Sequence, residues 1–333
     1  MVAIGLPDLL TAGRLSRGLN EVNLDLARVA EELSSGLRTD LVEAAGGDPT
    51  RLYAIERDLA LNATHQNLIE LASSRASVTQ LALKRVQDAS DSVGVPLVTA
   101  VGRNDVKSAE LIGSEAKSAF DAAVSALNAR VGDRTLFSGA ATTSQAMASA
   151  SDILADISAR VAGATDAASL VAAVDDYFAD PAGFADTGYL GATIDAPEAE
   201  IYEGERLTFA VRADDEAIIA ALSALALGIV ASESPLGTDA RMTVFREAGE
   251  RGVSATEGVI TLRSELGVAE ARLEDASART EAARLLLEQS QSALRSRDPF
   301  EAATEFSALE TQLQTMFSVT ARLSSLSLNN FLR

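Results

Sequence analysis

The sequence predicts a mainly α protein in which long coiled-coil-like helices from both chain ends form a rod, with a small α+β domain inserted in the middle. Three observations carry this. Apolar residues recur at alternating spacings of four and three near both ends. The apolar mass is Ala, Leu and Val: hydrophobic residues make up 47% of the 333 residues but aromatics only 4%, a long-helix composition rather than that of a sandwich or barrel. One interior stretch departs from both patterns.

Taken in order, Leu15, Leu19, Val22, Leu26, Val29 and Leu33 form an apolar seam closed by the "SSG" of Ser34–Gly36, the pattern of a coiled-coil helix and its stop. Asp48 and Pro49 then read as a helix start, and the helical pattern runs on until "SVGVPLVTAVGRND" (92–105), where an interruption is expected. It resumes over 106–131.

The middle differs in kind. Residues 151–220 hold 15 acids against 3 bases, so −12 of the formal charge of −20 falls there. Tyr177, Phe178, Phe184, Tyr189, Tyr202 and Phe209 lie within one 33-residue window. "IYEGERLTFAVRADD" alternates Leu207, Phe209 and Val211 after an "EGE" turn and reads as a short hairpin. A small inserted domain with a core of its own and an acidic solvated face follows from this. The 15-residue apolar run from Ala217 to Ala231 is short of the ~20 residues that span a bilayer and reads as a buried helix, with Asp214 or Asp215 as its N-cap.

Leu262, Leu266, Ala269, Leu273, Ala276, Thr280, Ala283, Leu287, Ser290 and Leu294 carry a further seam. "RDPFE" then signals a helix start, with Asp298 as N-cap, Pro299 at the first helical position and Glu301 placed for a capping box. The last seam comprises Ala302, Phe306, Leu309, Leu313, Met316, Thr320 and Leu323, followed by Leu326, Leu328 and Phe331 in a closing segment without an acid. Isolated helices of this length are marginal in water, so each stripe needs a partner. Pairing the first seam with the last is the economical solution, an ordinary helical bundle being the alternative. The expected division is 1–42 with 295–333 as a terminal assembly domain, 43–140 with 235–294 as a helical rod domain, and 141–234 as the inserted α+β domain.

The charge argues against nucleic acid and anionic membrane surfaces as partners. The chain lacks cysteine, which excludes disulfides and thiolate metal sites. The first residues lack the basic and long apolar regions of a cleaved signal. His65 is the sole histidine, which leaves no His-centred triad and no multi-His metal site. The adjoining acids Asp175–Asp176 and Asp214–Asp215–Glu216 do not share a face as a catalytic pair would. Phosphate-binding glycine motifs are missing. The expectation is no enzyme, no metal and no cofactor.

Motifs add a resemblance. "LSSGLRTD" (33–40), leading into a "DP" helix start, and the closing "VTARLSSLSLNNFLR" resemble the flagellin superfamily. "LNARVGDRTLFSGAAT" (127–142) is similar to the hook–filament junction type within it, that of the third hook-associated protein: Thr135, Leu136, Phe137, Ser138 and Gly139 follow its Leu-Phe-small-Gly pattern, where flagellins usually carry an Asn-Gly turn. The likeness covers roughly 10–142 and 255–333, and "LVEAAGGDPTRLY" departs from the usual Ser- or Asp-rich turn. It implies an extracellular flagellar structural protein, exported unfolded through the flagellar type III apparatus while a chaperone holds the C-terminal helix. It would form a ring with itself between the other hook-associated junction protein and the first flagellin subunits. The implied assembly residues are Leu15, Leu19, Val22, Leu26, Val29, Leu33, Phe306, Leu309, Leu313, Met316, Leu323, Leu326, Leu328 and Phe331. A flagellin filament subunit and a cytosolic coiled-coil adaptor are the alternatives.

Overall fold

The computed structural model describes residues 6–44, 50–196, 198–202, 205–207 and 211–331. The fold is mainly α. Helix α1 (Leu6–Ser35) is followed by the single turn α2 (Leu41–Ala44), the long α3 (Thr50–Gly102) and α4 (Val106–Leu127). A minimal hairpin, β1 (Arg130–Val131) and β2 (Arg134–Thr135), leads to α5 (Ala150–Val161), α6 (Ala167–Ala179) and a π-helical turn (Phe184–Gly188). A second antiparallel hairpin, β3 (Ala199–Tyr202) and β4 (Glu205–Leu207), precedes α7 (Glu216–Glu233), α8 (Thr238–Arg295) and α9 (Pro299–Phe331).

The chain divides into two compact units, Met1–Ala63 with Glu281–Arg333 and Thr64–Thr280. In the second unit α7 is the central helix: Ala221, Leu222 and Ala224 to Ala231 are all buried. A methyl group on Gly228 would lie 3.6–3.7 Å from Ala116 on α4 and from Leu97 and Val93 on α3, so α7 runs between those helices. Asp215 caps it by accepting from the Ala217 amide at 3.0 Å, which satisfies one of the donors a helix start leaves open.

Helices α3 and α8 meet backbone to backbone. A Cβ on Gly94 would sit 3.1 Å from the Gly252 carbonyl carbon, and one on Gly252 3.0 Å from the Gly94 Cα. Polar side chains fasten the same pair: Gln80 Nε2 donates to the Arg263 carbonyl at 2.7 Å, Arg263 Nη1 to Gln87 Oε1 at 2.6 Å, and Thr256 Oγ1 to Asp91 Oδ1 at 2.8 Å. The α8 stripe turns inward, with Leu266, Leu273, Ala276 and Thr280 buried.

Two expectations are corrected here. The helix does not stop at residue 92: α3 runs through Pro96 to Gly102, and the break comes at 103–105. Proline removes one amide bond from a helix, but flanking turns locked against α7 and α8 hold the helix across it. The segment assigned a core of its own also shares one. Ile153, Ile157, Leu170, Val174 and Tyr177 belong to the same buried cluster as Leu97, Phe120, Leu225 and Phe245. Aromatic richness signalled a core and said nothing of its borders. The Asp48–Pro49 start lies outside the described residues; α3 is described from Thr50.

Candidate assembly interface

The unit that joins the two ends of the chain is built on the pairing of α1 with α9. Two contacts fix its sense. A Cβ on Gly18 would lie 3.0 Å from Met316 Cε, and Arg28 Nη2 lies 3.6 Å from Glu305 Oε1. Advancing along α1 therefore retreats along α9, and the helices are antiparallel. Val22, Val29 and Ala302 are buried; Leu15, Leu19, Leu26, Phe306, Leu309, Leu313 and Met316 are half-buried. Two helices alone cannot enclose a seam, so each of these half-covered side chains contributes only about 1 kcal/mol, roughly half of a fully buried one. Leu33 stands outside the seam at 38% exposure, because the last turn of α1 faces the start of α9 and the connection before it rather than a continuing helix. The side chains of Leu323, Leu326, Leu328 and Phe331 lie outside the described residues.

At that end of α1 the facing position is taken by Glu32, which is 0% exposed. Its Oε1 accepts from the Thr39 amide and hydroxyl, both at 2.9 Å, and lies 3.5 Å from Arg28. Its Oε2 faces the buried Arg297 guanidinium at 3.7 Å. Arg297 also pairs with Glu305, and Arg38 with Glu301 at 3.6 Å. Burial pushes the Glu32 carboxyl up, but the two Thr39 hydrogen bonds and the charges of Arg28 and Arg297 outweigh it and hold the group below its ordinary value. Backbone bonds tie the adjoining turns: Arg38 N donates to Arg295 O at 2.7 Å and Arg297 N to Gly36 O at 2.9 Å. Asp298 caps α9 through the Phe300 amide at 2.8 Å, while Glu301 reaches Arg38. Glu32, Thr39 and Arg297 escaped the sequence reading. The available signal was a glutamate one place before the seam residue, opposite an arginine just before a helix cap.

The Leu136–Gly139 motif sits in the other unit. Phe137, Ser138 and Gly139 are buried and Leu136 is half-buried. The motif clasps chain from both sides of the acidic segment: Ala192 N donates to Ser138 O at 2.9 Å, Ala140 N to Ile194 O at 2.9 Å, and Ala213 N to Phe137 O at 3.0 Å. The Thr135 and Ser138 hydroxyls lie 2.5 Å apart, with Ser138 donating to Ala141 O and Thr135 to Ser144 O. Gly139 has φ +58°, and a Cβ there would fall 2.5 and 2.6 Å from the Ile194 and Ala192 carbonyl oxygens. Nearby, burial first and the Asp214 charge second push the Tyr189 phenol up to about 12; it stays protonated and donates to Ala192 O at 2.8 Å.

The geometry defines a helical protein that pairs distant ends of its chain through a half-covered seam and clasps its middle with a Leu-Phe-Ser-Gly turn. Residues 253–332, covering much of α8 and α9, match the family described as the bacterial flagellin C-terminal helical region. Two solved structures are similar in fold. A putative flagellar hook-associated protein from Vibrio parahaemolyticus is 15% identical, over 74% of this chain and 99% of that one, with a TM-score of 0.51. FlgL of Bacillus cereus is 16% identical, over 72% and 100%, with a TM-score of 0.54. Among curated sequences none matches. The chain belongs to the flagellin superfamily, and its fold is of the hook-associated kind.

Proposed function

We propose that this chain is a structural subunit of the bacterial flagellum that forms the junction ring between hook and filament. The observation that carries the reading is the α1–α9 seam: its apolar positions are aligned yet half-covered, and packing against neighbouring subunits would complete their burial. The partners on this reading are further copies of the chain, the other hook-associated junction protein, flagellin, and an export chaperone on the C-terminal helix. The protein is extracellular, exported by the flagellar type III apparatus, and not catalytic. Residues 1–42 with 295–333 serve as the assembly domain, 43–140 with 235–294 as the helical support, and 141–234 as an outward-facing insertion. The test is a deletion strain. Cells lacking the chain should build hooks and release flagellin monomers into the medium; normal filaments on such cells would refute the reading.

A filament subunit is the second reading, favoured by the flagellin description of residues 253–332. Copy number separates the two: about one ring per flagellum for a junction protein, thousands for a flagellin. A cytosolic adaptor would instead stay in the soluble fraction of disrupted cells.

A further inference from the structure

An apolar seam as uniform as this one specifies direction poorly and register hardly at all. Leu15, Leu19, Val22, Leu26 and Val29 face a helix carrying Phe306, Leu309, Leu313 and Met316 at the same repeat, so sliding one helix by a heptad again sets apolar against apolar. Coiled coils resolve this ambiguity with a polar residue in the seam. Here the seam holds one charged residue that is fully buried, Glu32, and its counter-charge comes from outside its own helix, from Arg297 just before α9.

We propose that Glu32 and Arg297 are register-setting residues, whose ion pair dictates which turn of α1 lies against which turn of α9. The Thr39 donors travel with α1, being seven residues from Glu32 on the same segment, and would satisfy Oε1 at any register. Oε2 is different: it faces Arg297, and Arg297 in turn holds Glu305, which also lies against Arg28. A slip of seven residues would strand a buried carboxylate and a buried guanidinium without each other, the arrangement that proteins tolerate least. The competing device is the backbone bridge between Leu37 and Ser296, which would fix register without any charge. The consequence for assembly rests on the function proposed above, since a slipped pair would present its half-covered positions to neighbours out of phase.

The absence of cysteine from the chain makes thiol crosslinking a clean readout on the purified full-length protein. Gly18→Cys with Met316→Cys reports the native register. Gly18→Cys with Leu309→Cys and Asp25→Cys with Met316→Cys report a slip of seven in either direction. With the ion pair intact the first combination should crosslink and the other two should not. Combined with Glu32→Leu and Arg297→Leu, the native crosslink should fall several-fold and a slipped one should appear, while Arg297→Lys, which keeps the charge, should hold the native pattern. An unchanged native crosslink in the double-leucine background would overturn the proposal in favour of the backbone bridge. Loss of all three crosslinks would overturn it too, by showing that the pair supplies stability rather than register. Swimming by cells that lack the chain altogether would refute the junction reading and leave the crosslinking result untouched.

Discussion

The two units of this molecule solve the same problem with unequal means. In the unit spanning Thr64–Thr280, four helices surround one another, and Leu97, Phe120, Leu225 and Phe245 are removed from water almost entirely. In the unit that joins the chain ends, two helices meet along a line, and most of the described seam residues keep part of their surface in solvent. A helix pair covers one stripe on each partner, whereas a bundle covers all sides. The first unit can therefore be stable by burial alone. The second depends on fixed points, the ion cluster at one end above all, and on whatever later covers it.

Core truncation should separate the units most strongly. Phe245→Ala empties a fully buried site and should cost about 3–5 kcal/mol. Leu309→Ala, in the half-covered seam, should cost only about 1 kcal/mol. Denaturant unfolding with segment-resolved hydrogen exchange would measure both, and equal costs would show that the seam is as well enclosed as the bundle. Somewhat smaller is Gly139→Val, which imposes a branched side chain on a left-handed backbone and aims its Cβ at two carbonyl oxygens. A loss on the order of 1–3 kcal/mol is expected, with faster exchange at the Ala192 and Ala213 amides that the motif holds. Unchanged exchange there would mean that the motif is not a clasp.

How far all this was legible in the sequence depends on the kind of contact. Stripe phase was legible, because helical periodicity records which side of a helix avoids water: Leu266, Leu273 and Ala276 are buried as their spacing implies. Partners across the fold were not. Nothing local marks Gly94 and Gly252 as the place where two helices touch, since glycine inside a helix reads as a weak point until the second backbone is seen. Pro96 and Gly94 together read as a break for the same reason. Leu33 fits the heptad, yet the neighbouring Glu32 is the buried residue, because the local partner is a guanidinium. The Leu136–Gly139 motif was found by resemblance, but its work, binding chain 50 and more residues downstream, is visible only in the hydrogen bonds.

A smaller effect should come from acid. Glu32 is held below its ordinary value of 4.5 in the folded chain, so it binds its proton less readily folded than unfolded. Its contribution is therefore fully present above about pH 4.5 and is lost as the pH falls through the lowered folded value. Amides of α1 around Val29 should exchange faster on acidification, after correction for intrinsic rates, while those of α7 around Leu225 respond less. Glu32→Gln should weaken the pair at neutral pH and remove that part of its acid sensitivity. An unaltered acid response in the variant would assign the effect to other carboxylates.

The smallest effect on the free chain is also the sharpest probe of the comparison. Phe317 on α9 is 55% exposed, one place after the seam residue Met316. On a self-sufficient protein Phe317→Ser would be a neutral surface change, within ~0.5 kcal/mol of the parent. If the pair finishes its burial against neighbouring subunits, that aromatic surface lies close to where they must pack. The substitution should then leave the melting of the isolated chain almost unmoved and still reduce incorporation into flagella, because a lost apolar contact recurs at every subunit of a ring. Melting of the purified variant and swimming of cells that carry it in place of the parent chain would be measured side by side. A markedly lower melting temperature would mean that Phe317 already packs within its own chain. Undiminished swimming would mean that this face of α9 stays in solvent after assembly, and that the seam is completed from another side.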